Sequence, residues 1–524
     1  MLPLLCLLPT VLRRLKPAAT CLLFTIYCLL FPATPVFSEI MGWAATYGGE
    51  GWDVAESVQQ TREGGYIVAG STKSFGAGKD DVWVLKLGPD GTIEWQKTYG
   101  GTSSDWANSV QQTSDGGYIV AGGTESFGAG DSDVWVLKLR ADGGIEWQKA
   151  YGGTSSDWAK SVQQTSDGGY VVAGGTRSFG AGKADVWVLK LRADGGIEWQ
   201  KAYGGTSSDW ASSVQQTTDG GYVVAGGTKS FGAGKADAWV LKLRVDGTVE
   251  WQKTYGGAKG DSAWCIQQTS DGGYVVAGAT ASFDVFLGLS KFWVLKLRAD
   301  GTVEGQRAYG GESGEGARSI QQTSEGGYIV AGETNSFGVR GSNIWVLKLS
   351  PDGMVEWQES YGAGNSSEAY SIQQTSDGGY IVGGWMEEES TLVDFRFWVL
   401  KLGVDGIVEW QKTYKKGSNW LNELHSIQQT RDGGYIVAGE TQNNFWVLKL
   451  RPDGSFGPAQ DKSTDPTCEF VKETDISGMF SNAMLKNTTA SPIDSNAIPQ
   501  DTLASVQDTN ASVDILCPPT TIKP

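Results

Sequence analysis

The sequence predicts an all-β protein, an eight-bladed β-propeller of four-stranded blades, and three observations lead to this fold class. A unit of about 52 residues recurs eight times, each copy marked by WVLKL or a close variant. Each unit divides into four short strand-like segments separated by Gly and Asp turns. A single segment before the first unit supplies the piece that the last unit lacks. These observations also predict the order of the four strands in each blade and the way in which the ring closes.

The repeat is counted from the Trp that directly precedes VLKL in each unit. Four strands in 40 to 55 residues are typical of a propeller blade, and eight blades fall within the known range of such rings. A single blade cannot bury both of its own faces, whereas a ring of similar blades can. The marker residues are Trp83, Trp135, Trp187, Trp239, Trp293, Trp345, Trp398 and Trp446.

The four strands of a unit are SVQQT, GGYIVAG, DVWVLKL and GTIEWQKTYGG. In DVWVLKL, Val, Val and Lys alternate with Trp, Leu and Leu, which predicts a strand with two different faces. The turns SDGG and ADGG contain residues that tolerate positive φ, as tight hairpins require. If the strands run from the inside of the ring to the outside in chain order, SVQQT lines the central channel.

The two ends of the repeat region predict how the ring closes. The eighth unit reaches Leu450 and has no Trp-containing fourth strand, while GWAATYGG stands alone at residues 42–49. We therefore expect the N-terminal strand to complete the last blade, which removes an open sheet edge.

Tryptophan packing between blades explains most of the unusual Trp content. Of 22 Trp residues, eight lie in third strands and seven in fourth strands, and Gly305 takes the eighth fourth-strand position. The fourth-strand residues are Trp43, Trp95, Trp147, Trp199, Trp251, Trp357 and Trp410.

The string WVLKLRADGGIEWQK resembles the blades of the quinoprotein alcohol dehydrogenase-like propeller superfamily, which place a hydrophobic strand, a Gly-containing turn and a docking Trp in this order. The chain is more similar still to secreted bacterial and archaeal propellers built from GGYIVAG and WVLKL repeats. For quinoprotein enzymes the resemblance implies a bound quinone, usually with calcium, a catalytic carboxylate and often a vicinal Cys pair. This chain has no Cys-Cys pair, and no catalytic residue of that family is carried over.

The regions outside the repeat predict export and a low-complexity tail. Residues 1–38 have the basic residues and apolar run of a signal peptide, with an uncleaved membrane anchor as the alternative. Residues 39–457 form the propeller, and residues 458–524 are rich in Ser, Thr and Asn and are expected to be disordered or extended. Cys468 and Cys517 bracket this tail and could form a disulfide in an oxidising compartment. We expect a secreted, cell-surface or periplasmic monomer with no integral membrane domain after signal cleavage.

The net charge of −17 argues against nucleic-acid binding, because such binding depends on clustered Lys and Arg that neutralise phosphates. The charge is compatible with cations, and it is equally compatible with neutral glycans.

An acid recurs in the loop before the first strand of six units. Around the channel mouth these acids could bind a cation such as calcium, or each could accept hydrogen bonds within its own turn. The six candidates are Asp53, Asp105, Asp157, Asp209, Asp261 and Glu315.

Trp106, Trp158 and Trp210 follow three of these acids. An exposed indole beside Asp105, Asp157 or Asp209 suits the apolar face and hydroxyls of a sugar, and packing over the adjacent blade is the alternative. These six residues are the candidate ligand-binding set.

Two further features concern the first strand. A Gln pair recurs in all eight units, and either one amide of each pair faces the channel or the pairs hydrogen-bond neighbouring strands and seal the ring. The residue before SVQQT varies freely, as a wet surface does, and includes His425, the one His of the chain. The loops from Gly257 onward diverge most, so we expect any unique pocket there.

Repeated weak contacts need many equal positions, whereas catalysis needs one asymmetric site. We therefore expect a secreted noncatalytic binding or scaffolding propeller that recognises a glycan or a protein through its long-loop face. A carbohydrate-active enzyme, such as an endoglucanase-like hydrolase, or a quinone-dependent enzyme is the rival hypothesis. A purely structural surface protein is a second rival.

Overall fold

A computed structural model describes residues 42–283, 289–339, 341–362, 365–387, 395–415, 422–441 and 443–456, together with four short backbone segments beyond residue 470. The predicted signal peptide lies outside the described residues, as does Cys468, and the side chain of Cys517 is not described. Cys265 is a free thiol that is half-buried against the core between blades 5 and 6. In the described part of the chain, no helix has the length and apolar character needed to cross a membrane.

Eight four-stranded antiparallel sheets form the blades, which confirms the predicted fold class. Blade 1 contains β2 to β5, blade 2 contains β6 to β9, and the numbering continues in this way to blade 7, which contains β26 to β29. The first strands of blades 1 to 8 are β2 (Asp53–Gln60), β6 (Asp105–Gln112), β10 (Asp157–Gln164), β14 (Asp209–Gln216), β18 (Asp261–Gln268), β22 (Glu315–Gln322), β26 (Ser366–Gln374) and β30 (Asn422–Gln429).

The second strands begin at the Tyr of GGYIVAG. They are β3 (Tyr66–Thr72), β7 (Tyr118–Thr124), β11 (Tyr170–Thr176), β15 (Tyr222–Thr228), β19 (Tyr274–Thr280), β23 (Tyr328–Thr334), β27 (Tyr380–Glu387) and β31 (Tyr435–Thr441). The third strands are β4 (Asp81–Leu87), β8 (Asp133–Leu139), β12 (Asp185–Leu191), β16 (Asp237–Leu243), β20 (Lys291–Leu297), β24 (Asn343–Leu349), β28 (Phe395–Leu402) and β32 (Asn444–Leu450).

The fourth strands of blades 1 to 7 end at a Tyr, and blade 8 takes its fourth strand from the N-terminal segment. They are β5 (Ile93–Tyr99), β9 (Ile145–Tyr151), β13 (Ile197–Tyr203), β17 (Val249–Tyr255), β21 (Val303–Tyr309), β25 (Val355–Tyr361), β29 (Val408–Tyr414) and β1 (Trp43–Tyr47). Segments of the tail add a fifth strand to blades 7, 6, 5 and 8, namely β33 (Val471–Glu473), β34 (Met479–Phe480), β35 (Lys486–Asn487) and β36 (Val513–Cys517).

The N-terminal strand closes the ring as the sequence predicts. β1 pairs antiparallel with β32, from Trp43 opposite Lys449 to Tyr47 opposite Phe445. All five residues of β1 are buried. The strand therefore belongs to blade 8 and leaves that sheet without a missing element.

The period-two pattern of the third strand places alternate residues in different hydrophobic cores. Trp83 and Leu85 pack in the core between blades 8 and 1, whereas Val82 and Val84 pack in the core between blades 1 and 2. Both faces of the strand are therefore buried, each against a different neighbour. The Lys of the strand is buried as well, and Lys138 makes ion pairs with Asp115 and Glu146 at 2.8 and 3.0 Å.

The fourth-strand Trp of each blade docks on the next blade. In blade 2, Trp147 donates a hydrogen bond to the carbonyl of Ala193 at 2.7 Å, and its ring lies over Gly195. A Cβ on Gly195 would lie 2.7 Å from that ring, and the residue has a φ of +70°, so Gly is required on both counts. Tyr151 donates to the carbonyl of the same Gly at 2.7 Å.

One interface departs from this arrangement. Blade 5 has Gly305 at the Trp position, and the Arg307 side chain instead donates to the carbonyl of Asp352 at 3.2 Å. Arg307 also lies beside Gly353, where the other blades place an indole. The Tyr309 hydroxyl still donates to Gly353 at 2.8 Å.

Glutamine side chains join the first strands into a closed ring around the channel. The backbone N–H of the second Gln of each pair donates to the side-chain oxygen of the first Gln in the preceding blade, at 2.6–2.9 Å at all eight interfaces. The side-chain oxygen of the second Gln accepts from a turn N–H of the preceding blade, again eight times, at 2.7–2.9 Å. The Gln pairs therefore seal the ring, as the second interpretation of the sequence predicts.

Deleting residues 42–47 should lower the thermal midpoint sharply, because blade 8 loses its fourth strand and its docking indole. Circular dichroism during heating measures this change. Trp147→Ala is the matched control: it removes one half-buried docking indole, at a cost of about 1–3 kcal/mol, and leaves the ring closed. A deletion variant that melts at the wild-type temperature would disprove closure by β1.

Gln163→Ala should destabilise the protein by about 1–3 kcal/mol, because the backbone N–H of Gln216 loses its acceptor. Denaturant titration followed by Trp fluorescence measures the loss. Lys160→Ala, an exposed change in the same strand, should stay within about 0.5 kcal/mol of wild type. Equal effects of the two changes would contradict a stabilising role of the Gln ring.

Candidate binding site at the mouth of the channel

The two faces of the propeller differ in their connections. One face carries the first-to-second and third-to-fourth turns, of five residues each in blade 1. The other face carries the fourth-to-first connections, of similar length, and the second-to-third loops, which are longer, with eight residues in blades 1 to 4. We call the second face the long-loop face. The first strands begin there, so their initial residues surround one mouth of the channel.

A β-bulge in every first strand leaves one residue near this mouth without a cross-strand partner. In blade 8 the register shifts between Leu424 and Ser426, which leaves His425 unpaired. Bulges of this kind redirect side chains and recur beside functional sites. The eight bulge residues, in blade order, are Glu56, Asn108, Lys160, Ser212, Trp264, Arg318, Tyr370 and His425.

A cross-strand pair accompanies each bulge residue, formed by the residue two positions earlier and its partner in the second strand. We call these the mouth pairs. In blade order they are Val54 with Ser71, Trp106 with Gly123, Trp158 with Gly175, Trp210 with Gly227, Ser262 with Ala279, Gly316 with Glu333, Glu368 with Trp385, and Glu423 with Glu440.

The predicted ligand-binding tryptophans form the mouth pairs of blades 2, 3 and 4. The indole of Trp106 lies over Gly123, where a Cβ would approach it to 2.3 Å. Trp158 and Trp210 lie over a Gly in the same way, and all three rings are half-buried. Packing within the blade therefore covers one side of each indole and leaves another side at the mouth. Sugar binding by these residues stays a prediction.

Blades 5 to 8 and the loop of blade 1 carry a different, continuous set of aromatic and charged side chains. We call this set the mouth strip. It consists of Trp264, Arg318, Glu333, Glu368, Tyr370, Trp385, Glu423, His425, Glu440 and Trp52.

Arg318 connects the first half of the strip. Its guanidinium lies 4.5 Å from the centre of the Trp264 ring in the preceding blade. Its Nε is 3.2 Å from the Glu333 carboxylate, and its Nη2 is 2.6 Å from Glu368 in the following blade. Burial, followed by the charge of Glu368, raises the pKa of Glu333, and Arg318 opposes this shift. The Arg318 guanidinium therefore contacts side chains of three successive blades.

Tyr370 connects the second half. Its hydroxyl accepts a hydrogen bond from the Trp385 indole at 3.2 Å, and its ring stacks on His425 of the next blade with centroids 6.3 Å apart and an interplanar angle of 7°. The indole of Trp52, which is 43% exposed, donates to Glu440 at 2.7 Å. Burial, together with the charges of Glu423 and Glu56, raises the pKa of Glu440 to about 7. The strip thus runs without interruption from blade 5 to blade 1.

The six acids predicted to bind calcium lie apart, one in each of blades 1 to 6, and every one is buried. Asp105, for example, accepts hydrogen bonds from the Ser126 hydroxyl at 2.7 Å, from the Thr124 hydroxyl, and from the N–H of Gly101 at 2.8 Å. Asp53, Asp157, Asp209 and Asp261 hold their own loops in the same manner. Glu315 accepts from Ser336 and pairs with Lys291 at 3.1 Å. Calcium binding by these acids stays a prediction.

Four of these acids face a second buried carboxylate on the preceding blade. A Cβ on Gly152 would lie within 3 Å of both Asp133 and Asp157, and Oδ1 of Asp133 accepts no hydrogen bond. Burial and the Asp157 charge raise the pKa of Asp133 to about 6. Asp81, Asp185 and Asp237 occupy equivalent positions with equally raised pKa values. Blade 5 replaces this Asp with Lys291, and blades 6 and 8 replace it with Asn343 and Asn444.

Sequence reasoning found one half of the mouth and missed the other. The variable position before SVQQT identifies the bulge residues from Glu56 to His425, because a position that varies within a strict repeat marks a surface. The second-strand residues of the mouth pairs, Glu333, Trp385 and Glu440, were not predicted, because they lie at the end of the otherwise uniform GGYIVAG strand. Comparing the eight copies at that strand position would have revealed them.

No protein-family model matches the chain, and no curated protein matches it. Among solved structures, Sqt1 from Chaetomium thermophilum has a TM-score of 0.50 at 11% identity, covering 79% of this chain and 100% of that chain. The Pan2 WD40 domain from Neurospora crassa has a TM-score of 0.38 at 11% identity, covering 66% and 88%. Endo-1,5-alpha-L-arabinanase from Thermotoga petrophila RKU-1 has a TM-score of 0.24 at 11% identity, covering 77% and 100%. At these identities the similarity to Sqt1 concerns the propeller fold alone.

Asp133→Asn should stabilise the protein at pH 8 and have little effect at pH 4. A folded-state pKa of about 6, above the ordinary 3.8, means that the folded state holds the proton more tightly, so stability falls as pH rises from about 4 to 6. The amide keeps the acceptor oxygen and can donate to Asp157, for a gain of up to about 3 kcal/mol above pH 6. Thermal midpoints measured across this pH range test the effect. The exposed change Asp131→Asn is the control, and identical pH profiles for both variants would contradict the explanation.

Proposed function

We propose that this protein is a secreted, noncatalytic binding or scaffolding propeller that recognises a glycan or a protein through its long-loop face. The observation that carries the proposal is the mouth strip, a continuous set of side chains from blades 5 to 8 and blade 1. The stable inter-blade contacts recur at every blade, whereas this strip is unique to one half of the ring. Its residues are thus free of the packing roles that the repeat imposes.

The chemistry of the strip favours a glycan. Partly exposed rings of Trp52, Trp264 and Trp385 offer flat apolar surfaces to the faces of sugar rings. Carboxylates and the Arg318 guanidinium, placed between the rings, can accept from and donate to hydroxyl groups. The three Trp–Gly mouth pairs of blades 2 to 4 continue the aromatic surface around the other half of the mouth. The same aromatic and Arg composition also suits a protein interface.

Catalysis is the rival function, and one observation bears on it. Burial raises the pKa of Glu333, as in a general acid, and a second carboxylate, Glu368, lies beside it. Both carboxylates contact Arg318, Glu333 at 3.2 Å and Glu368 at 2.6 Å, so a cation already engages each of them. With Arg318 bridging them, the pair is better suited to holding the strip together. Secretion rests on the signal-peptide prediction, and membership of the quinoprotein-like superfamily rests on the docking-Trp pattern.

A glycan array probed with the full chain, with calcium and with a chelator, tests the proposal. Two matched triple variants separate the halves of the mouth: Trp264, Tyr370 and Trp385 changed to Ala, and Trp106, Trp158 and Trp210 changed to Ala. We expect wild type to bind selectively, the first variant to lose at least tenfold in affinity, and the second to lose less.

Circular dichroism must first establish that both triple variants remain folded. The absence of any glycan binding by wild type in either buffer would exclude the glycan and leave a protein partner as the proposed ligand. Turnover of a bound oligosaccharide that disappears in Glu333→Gln would overturn the noncatalytic assignment.

A further inference from the structure

Three potential metal ligands converge at the blade 8 end of the mouth strip. Glu423 and His425 lie on β30 and Glu440 lies opposite on β31. Each residue presents one ligand atom, and these atoms lie within 4.8 Å of one another. In the described residues this is the one group of at least three His, Cys, Asp or Glu side chains with such spacing. Metal–ligand bonds of about 2 Å would be reached by a small inward movement of the side chains.

The three side chains do not pair with one another. Glu440 accepts a hydrogen bond from Trp52, and the His425 ring stacks on Tyr370, but no hydrogen bond or ion pair joins His425 to either carboxylate. The Nε2 atom of His425 is inaccessible to solvent and has no hydrogen-bond partner. One ring nitrogen of His425 thus lies within 4.8 Å of two carboxylate oxygens, and Nε2 of the same ring has no partner, as expected of a ligand set awaiting a cation.

Among the described residues, no ion pair joins Glu423 or Glu440 to a Lys or Arg. Glu423 and Glu440 are directly opposite each other in the β30–β31 pair, where like charges repel, and Glu56 of blade 1 is close enough to affect Glu440. The same level of blades 6 and 7 provides an internal comparison. There Glu333 and Glu368 also approach each other, and Arg318 lies between them as a cation. Blade 8 has an imidazole where blade 6 has this Arg.

We propose that Glu423, His425 and Glu440 bind a divalent first-row transition metal ion, with Zn²⁺ as the representative ion. One imidazole nitrogen and two carboxylate oxygens match the ligand preference of such ions better than that of Ca²⁺, which takes oxygen ligands. The Trp52 indole, by donating to Glu440, fixes one carboxylate in the way that outer hydrogen bonds orient metal ligands. Three protein ligands leave coordination positions open toward the mouth. The site stands on this geometry and does not depend on the proposed function.

The chain offers a matched set of variants. His425→Asn introduces the residue that blade 2 carries at its bulge, Asn108, so the fold already accommodates it. Glu440→Gln removes one carboxylate. Glu333→Gln is the control, because Glu333 is the equivalent residue of blade 6 and has Arg318 beside it in place of an imidazole. All proteins are prepared as the full chain without a polyhistidine tag.

Calorimetric titration with Zn²⁺, and separately with Ca²⁺, measures the affinity. We expect one Zn²⁺ per chain at micromolar or tighter affinity, at least a tenfold loss in His425→Asn and in Glu440→Gln, and unchanged binding in Glu333→Gln. Because the chain contains one His, its imidazole resonances in the wild-type NMR spectrum should shift on Zn²⁺ addition and broaden with Co²⁺.

The NMR measurement keeps the proposal testable if a variant fails to fold. Zn²⁺ binding as strong in His425→Asn as in wild type would overturn the proposal. So would imidazole resonances that neither shift with Zn²⁺ nor broaden with Co²⁺. The absence of wild-type Zn²⁺ binding at millimolar concentration would also overturn it, as would Ca²⁺ binding tighter than Zn²⁺ that survives the loss of His425.

Discussion

The hydrogen bond from the backbone of one blade to a glutamine side chain of the preceding blade recurs at all eight interfaces, and the rest of the structure depends on it. The first strands are the innermost strands of the ring, and no further strand pairs with the edge that faces the channel. Their backbone groups would otherwise face the channel unpaired. A side-chain amide supplies the acceptor and fixes the distance between neighbouring blades. Docking indoles and tyrosine hydroxyls reinforce the same contact from the other end of the blade.

The need for these inter-blade contacts explains why some positions of the repeat keep the same residue in nearly all units, whereas other positions vary. Gln, Tyr, Gly and the core Trp hold neighbouring blades together, so substitution at one of them affects two blades. The bulge residues and mouth pairs make no inter-blade contact that recurs at all eight blades; those that do join blades, such as Arg318 and Tyr370, do so with residues particular to their own position. Blades 2 to 4 share the same Trp–Gly mouth pair, whereas each of blades 5 to 8 has a different pair. Specific chemistry could therefore arise in half of the ring without loss of the fold.

The fold was predictable from the sequence because its signals are repeated. Eight copies of a four-strand pattern specify the sheet topology, and the orphan strand at Trp43 specifies the closure. The mouth was harder to predict. The contact of Arg318 with Trp264 and Glu368 joins residues about 50 positions apart, and it depends on a bulge whose direction no local pattern reveals. The acids from Asp53 to Glu315 illustrate the converse: a repeated carboxylate suggests a ligand, and in the structure each one anchors its own loop.

The pairing of β1 with β32 also has a consequence for biosynthesis. The ribosome makes β1 before all other blade strands and its partner β32 after the other blade strands, with Trp43 opposite Lys449. Seven blades can assemble while the chain is still emerging, since each takes all four strands from one continuous stretch. The eighth blade cannot form until β32 has been synthesised. Before that point β1 has no strand partner, and it carries an aromatic residue at either end. Among the four-stranded blades this closure is therefore the longest-range pairing, and a chain truncated before β32 has no partner for its own N-terminus.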